Sequence, residues 1–279
     1  NVAVGHQAMD ANTTGSYNTA TGGGALGQNI AADNNTAFGY ISLTSNTTGA
    51  GNTAVGGNSL DANVDGSNNT AVGFHALTSN SSGTPNVGVG AYSLEDNTTG
   101  GRVTALGYYA LGNNTSANSN TAVGYNSLSA NTTGAHNTAV GDDSLVTNST
   151  SSDNTAVGRS ALNMSTAAGN TALGKNAGSG VTSGANIVAV GKDTLQGTCT
   201  GDNNVAVGGA ALNANTDGHS NTAVGHNALM VNTGGDNNTA VGFGSLDANT
   251  TANSNTAFGG AALGDNTTGN SNVAVGYYT

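Results

Sequence analysis

A five-residue string, Asn-Thr-Ala-Val-Gly or a close variant, recurs along the whole chain and constrains its fold more than any other feature. Its final glycine falls at 5, 22, 39, 56, 73, 90, 107, 124, 141, 158, 174, 191, 208, 225, 242, 259 and 276. The spacing is 17 residues in fifteen of sixteen intervals, and 16 between Gly158 and Gly174. The unit reads N-T-A-V-G-x-x-A/S-L-x-x-N-T-T-G-x-x, with positions numbered one to seventeen. A fixed short period means that one structural element is copied and stacked.

The positions differ in tolerance. Position one is Asn except at Val103 and Ile187, and position two is only Thr or Val. Position three is Ala except at Gly88, and position four is Val, Leu or Phe apart from Thr21. Position nine is Leu in fourteen of sixteen units, and position twelve is Asn in thirteen of sixteen. Positions six, seven, ten, eleven and seventeen vary freely.

A 17-residue unit is too short for a helix pair or a propeller blade. Each unit is rich in Gly and in β-branched Thr and Val, which disfavour helix. The alternating N-T-A-V segment suits a strand. Two-residue hairpin turns favour Asn-Gly, and this Asn-rich chain has no such pair. The expected fold is therefore all-β, a parallel β-solenoid or β-roll with 17-residue coils, one repetitive segment over residues 1–279 of about 17 coils. Equivalent residues then stack, so Leu lies over Leu and Asn amides bond to the Asn above and below. Gly at positions five and fifteen is expected to supply corner conformations. Pro85, at position seventeen, falls in a loop slot.

Composition removes several classes. Charged residues are 7% of the chain, the formal net charge is -11, and only four residues are Lys or Arg, so no nucleic-acid partner is expected. One Cys leaves no disulfide scaffold and no Cys-based zinc site. One Pro rules out collagen, and no apolar run suits membrane insertion. The start at Asn1, without Met or a leader, reads as a segment of something longer.

Positions two and four should point one way from the strand and position three the other. We expect the Val set to fill the coil and the alanines to face a second surface that admits only a methyl group. The simplest supplier is a neighbouring chain about a shared axis, with Ala54, Ala71, Ala122, Ala139 and Ala223 at the interface. A flattened coil, whose opposite wall plays that part, is the alternative.

The segments SNVAVG (271–276), DNNVAVG (202–208) and ANIVAVG (185–191) resemble the N-S-V-A-I-G head repeats of trimeric autotransporter adhesins. The longer GSNNTAVGFHAL (66–77) is similar to repeats of bacterial and phage fibre proteins. The resemblance implies a homotrimeric fibre, extracellular or on a cell surface or virion. It rests on one short motif per coil, and the adhesin repeat is shorter than 17 residues.

No catalytic constellation, metal site or cofactor motif stands out. His6, His75 and His226 fall at positions six and seven and read as surface histidines; Asp142 and Asp143 are adjacent and splay. Gly22-Gly23-Gly24 lacks the strand-to-helix context of a phosphate loop. Cys199, at position thirteen, reads as an inert buried thiol, with an interchain bridge as the alternative. Sequons such as Asn46-Thr47-Thr48 follow from the repeat.

The aromatic residues carry more. Phe74, Tyr92, Tyr108, Tyr109 and Tyr125 lie at positions six and seven of four successive coils and should form one exposed patch. Asp142, Arg159, Lys175 and Lys192 follow at position six. Aromatic rings on a stiff support can stack on sugars, which makes a surface glycan or receptor the expected partner besides the chain itself. Ladder stacking alone is the plainer reading.

The expected function is the shaft or head of an extracellular fibre, as in a phage tail fibre or bacterial adhesin, and not an enzyme. An ice-binding solenoid is an alternative, since position thirteen is Thr in eleven of sixteen coils; Ile30, Val64 and Cys199 there suggest an inward face. A self-assembling filament without receptor binding is another. A polysaccharide-cleaving β-helix would need paired carboxylates on neighbouring coils, and the acids are scattered. Residues 154–199 form an irregular zone, readable as a bend, a defect or a docking site.

Overall fold

A computed structural model describes all 279 residues. The chain divides into two compact units, Asn1–Asn137 and Thr138–Thr279. The first carries eight strands, from β1 (Val2–Val4) through β2 (Thr19–Thr21), β3 (Thr36–Phe38), β4 (Thr53–Val55), β5 (Thr70–Val72), β6 (Asn86–Val89) and β7 (Val103–Leu106) to β8 (Thr121–Val123). The second carries nine, from β9 (Thr138–Val140) through β10 (Thr155–Val157) to β17 (Val273–Val275). Within each unit consecutive strands pair in parallel, with Ala20 opposite Ala37 and Ala156 opposite Ala172. Each unit is thus a parallel β-solenoid of stacked coils, as the period requires. The Leu turn stacks too: the N–H of Leu26 donates to Ser42 O at 3.0 Å and that of Leu43 to Ser59 O at 2.9 Å.

The two faces of the strand are the reverse of the expectation. Ala54, Ala71, Ala122, Ala139 and Ala223 are 0% exposed in a single chain. They point into their own coil, so they offer no surface to a second one, and the flattened-coil alternative holds at this position. The reason is local. A Cβ built on Gly88, the glycine at position three, would meet Ser93 Oγ at 3.1 Å and Leu77 Cδ1 at 3.3 Å. The gap between the strand and the Leu column is one methyl wide, so Leu fills the core and Ala caps it. Thr and Val of positions two and four lie on the outer face, half-buried or exposed, with Val4 58% and Phe38 58% exposed.

Asparagine forms two different ladders. At position twelve the amides bond to one another: Nδ2 of Asn46 donates to Asn29 Oδ1 at 3.0 Å, and that of Asn63 to Asn46 Oδ1 at 2.9 Å. At position one the Asn side chains clamp backbone, although Asn255 Nδ2 is buried without a partner. Asn52 Oδ1 accepts the N–H of Asn69 at 2.9 Å, while its Nδ2 donates to Gly66 O at 2.8 Å. Both columns are buried, so their satisfaction decides whether a coil closes.

Backbone geometry explains the glycines. Gly73 at position five has φ +141, and a Cβ there would lie 2.5 Å from Gly90 O in the next coil, so only glycine fits. At position fifteen the constraint is room rather than conformation. A Cβ on Gly235 would sit 2.5 Å from Asn232 Oδ1, and no left-handed φ is involved. The buried leucines of position nine themselves hold left-handed φ, as at Leu60 (φ 51) and Leu77 (φ 53). Such a conformation is costly for a residue with a side chain and persists only where packing over-determines it.

The zone 154–199 departs from the pattern inside the second unit. The missing residue falls between Ser165 and Asn170, and the inward slots of the position-twelve column hold Ser165, Val181 and Cys199 in place of Asn. Val181 and Cys199 form an isolated parallel bridge. Cys199 is buried and free, and accepts from Asn215 Nδ2 at 3.5 Å where an Asn amide normally would. Burial pushes its thiol pKa up, as for an inert thiol.

Candidate functional site

Position seven adopts left-handed φ, which lets its side chain swing beside the position-six side chain: His75 has φ 56, Tyr92 φ 58 and Tyr109 φ 54. Phe74 meets Tyr92 edge-on at 5.7 Å between ring centroids, and Tyr92 meets Tyr108 at 5.7 Å. Tyr108 stacks on Tyr125 at 5.6 Å with 10° between the planes. In the coil of Tyr92, position six is Ala91, whose methyl leaves room for the ring to bridge its neighbours. Four of the five expected residues thus form one continuous ridge, with Phe74, Tyr108 and Tyr125 each about half exposed.

Tyr109 is placed differently. Its ring lies against Gly112, where a Cβ would come within 2.7 Å of Tyr109 Cε2, and its hydroxyl donates to Asn113 Oδ1 at 2.7 Å. It supports the flank of the ridge. His75, which reads in the sequence as a plain surface residue, joins it instead by stacking on Tyr92 at 5.6 Å. Only the left-handed φ at position seven could have signalled that, and φ is not legible in residue type. Carboxylates flank the rings: the charges of Asp96 and Glu95, after burial, hold the Tyr109 phenol above its usual range.

Asp61 stands near this face in a slot where three other coils place a donor. At position ten, Thr44 Oγ1 donates to Gly24 O at 2.9 Å and Thr78 Oγ1 to Asn58 O at 3.1 Å, each 20 residues back. Asn213 Nδ2 does the same to Asp193 O at 2.8 Å. The equivalent acceptor for Asp61 is Ile41 O, to which a carboxylate cannot donate. Its Oδ1 is buried without a hydrogen-bond partner, and burial raises its pKa. Asp61→Asn is therefore expected to stabilise the fold at pH 7 by about 1 kcal/mol. A raised folded pKa means that wild type keeps this group's contribution below the unfolded pKa and loses it as pH rises through the folded value. The gain should accordingly shrink in acid. Urea melts at pH 3 and pH 7 check this, and an equal gap at both would contradict it.

Position thirteen is outward in the regular coils, contrary to expectation: Ile30 is 50% and Val64 44% exposed, and only the slipped Cys199 is buried. The Thr hydroxyls there are already used, since Thr13 Oγ1 donates to Ile30 O and Thr47 Oγ1 to Val64 O, both at 3.1 Å. No three His, Cys, Asp or Glu side chains converge as a metal site would need. No helix is long and apolar enough to cross a membrane. No known family and no curated protein matches the chain.

Proposed function

We propose that the protein is the structural and attachment segment of an extracellular fibre, assembled from copies of itself, three by resemblance to the adhesin heads. One observation carries this reading: the outer face of every strand is kept to Thr, Val, Leu and Phe although it faces solvent. Position seven, half-buried like the outer strand face, accepts Gln, Ile, His, Tyr, Asn, Asp and Ala. β-Propensity favours β-branched residues in strands but does not exclude charge from an outer face. A covering partner does, and another copy of the chain is the simplest supplier of one.

The ridge at Phe74, Tyr92, Tyr108 and Tyr125 is then the attachment surface. It offers apolar, quadrupolar ring faces on a rigid support, the chemistry that stacks on sugar rings. Replacing Tyr92, Tyr108 and Tyr125 with Ser, with Tyr109 left as a packing residue, should weaken binding to glycan-bearing cells by about tenfold or more, at about 0.5–1.5 kcal/mol per ring. The melting temperature should move little, since these rings cover one another rather than the core. Unchanged binding, or a collapse of stability, would count against the ridge.

An ice-binding reading gains from the outward position thirteen. It loses from the engaged hydroxyls and from Ile30, Val64 and Asp65, which interrupt the Thr rows. Thermal hysteresis by a chain that stays single at all concentrations would favour it.

A further inference from the structure

Three of the four basic residues of the chain occupy one column. Arg159, Lys175 and Lys192 stand at position six of three successive coils in the second unit, all exposed. Their backbones are tied coil to coil: Asn176 N–H donates to Arg159 O at 2.9 Å, and Asp193 N–H to Lys175 O at 3.1 Å. The column therefore advances by one strand spacing, about 4.8 Å, per cation. Like charges directly opposite on neighbouring strands destabilise each other, and position six accepts uncharged residues elsewhere, so packing gives no reason for the arrangement.

Compensation within the protein is partial. Lys192 Nζ pairs with Asp193 Oδ2 at 3.1 Å. The other oxygen of Asp193 accepts from Asn176 Nδ2 at 2.9 Å and Gln196 Nε2 at 3.1 Å, so this carboxylate is fully engaged and held below its usual range, first by the Asn176 bond. The Lys175 charge also acts on Asp193, but from outside pairing distance. Asp142, at position six of the preceding coil, is the one acid in the column.

We propose that this column is a binding site for a linear acidic polysaccharide, a polymer with one carboxylate or sulfate per sugar or per disaccharide. Cations in single file, one strand step apart, match a ligand whose charges are also in single file. The Arg159 guanidinium can take a carboxylate or sulfate through two parallel N–H bonds, while Lys175 acts as a point charge. Nucleic acid fits less well. Duplex carries a far denser line of charge, about one per 1.7 Å, and for a single strand the column holds no ring for base stacking. The proposal does not depend on the aromatic ridge, which lies in the first unit.

The test is titration of the whole chain with polygalacturonate, neutral dextran and single-stranded DNA at two salt concentrations, repeated with the variant Arg159→Gln, Lys175→Gln, Lys192→Gln. Wild type is expected to bind polygalacturonate in a salt-sensitive manner, whereas any dextran bound at the aromatic ridge should be insensitive to salt and unchanged in the triple variant. The triple variant should lose at least tenfold in affinity with an unchanged melting temperature. A double variant, Arg159→Gln with Lys175→Gln, should show most of that loss, since Lys192 is already paired. No wild-type binding, equal affinity in the triple variant, or DNA bound as tightly as polygalacturonate would overturn the proposal.

Discussion

Ala71→Glu is expected to unfold the coils around β5 rather than to dissociate a complex. Ala71 is 0% exposed, and the adjacent coil shows the space at its position: a methyl there would already touch Leu77 and Ser93 at 3.1–3.3 Å. A glutamate would overfill that gap and bury a charge with no cation within the core. Leaving a buried charge unpaired costs about 3–5 kcal/mol, and overpacking adds about 1–3 kcal/mol. The loss should be independent of protein concentration. Val72→Glu, one residue on, places the same charge on the outer face and should leave a single chain folded. Circular dichroism melts of the two variants at low concentration separate the cases; equal loss in both would mean that the strand has no preferred inner face.

The second large effect is expected at the clamping asparagines. Asn52→Ala removes the acceptor of the buried Asn69 N–H and one of the two donors to Gly66 O, which keeps its bond from Asn63 Nδ2 at 2.9 Å. The orphaned buried N–H alone costs about 1–3 kcal/mol, the loss expected before any cavity is counted. The natural interruptions at Val103 and Ile187 show what survives such a change: their own N–H groups still donate to Asn86 Oδ1 at 3.0 Å and Asn170 Oδ1 at 2.9 Å. Each break therefore stops at one coil. Denaturant melts of Asn52→Ala should show a lower midpoint, and a loss under about 0.5 kcal/mol would mean that water reaches this column.

The period made the coil, the parallel register and both Asn columns readable, because a residue stacked on its own copy must satisfy the same constraint in every coil. The direction of the strand's faces was not readable. Hydrophobicity assigns Val inward, whereas volume decides the matter: the Leu of position nine occupies the core and leaves only a methyl's width under the strand, as the contacts at Gly88 show. Constancy at Ala71 and Ala122 therefore reports packing within one chain, and constancy at Val72 and Val123 reports the outer face. The ridge was readable through the register, since four coils bring Phe74, Tyr92, Tyr108 and Tyr125 together. The side turn of Tyr109 and the recruitment of His75 were not, because both follow from φ at position seven.

The inner and outer faces, and the partner proposed for the outer one, are tested most directly by thiol reactivity at two adjacent residues. In a Cys199→Ser background, cysteine is placed at Ala71 or at Val72 and labelled across a range of protein concentrations. Ala71→Cys is expected to stay unreactive at every concentration until denaturant is added. Val72→Cys should react in dilute solution and become protected as chains associate. A reactive residue 71 beside a protected residue 72 in dilute solution would contradict the fold, and equal reactivity of residue 72 at every concentration would contradict assembly through this face.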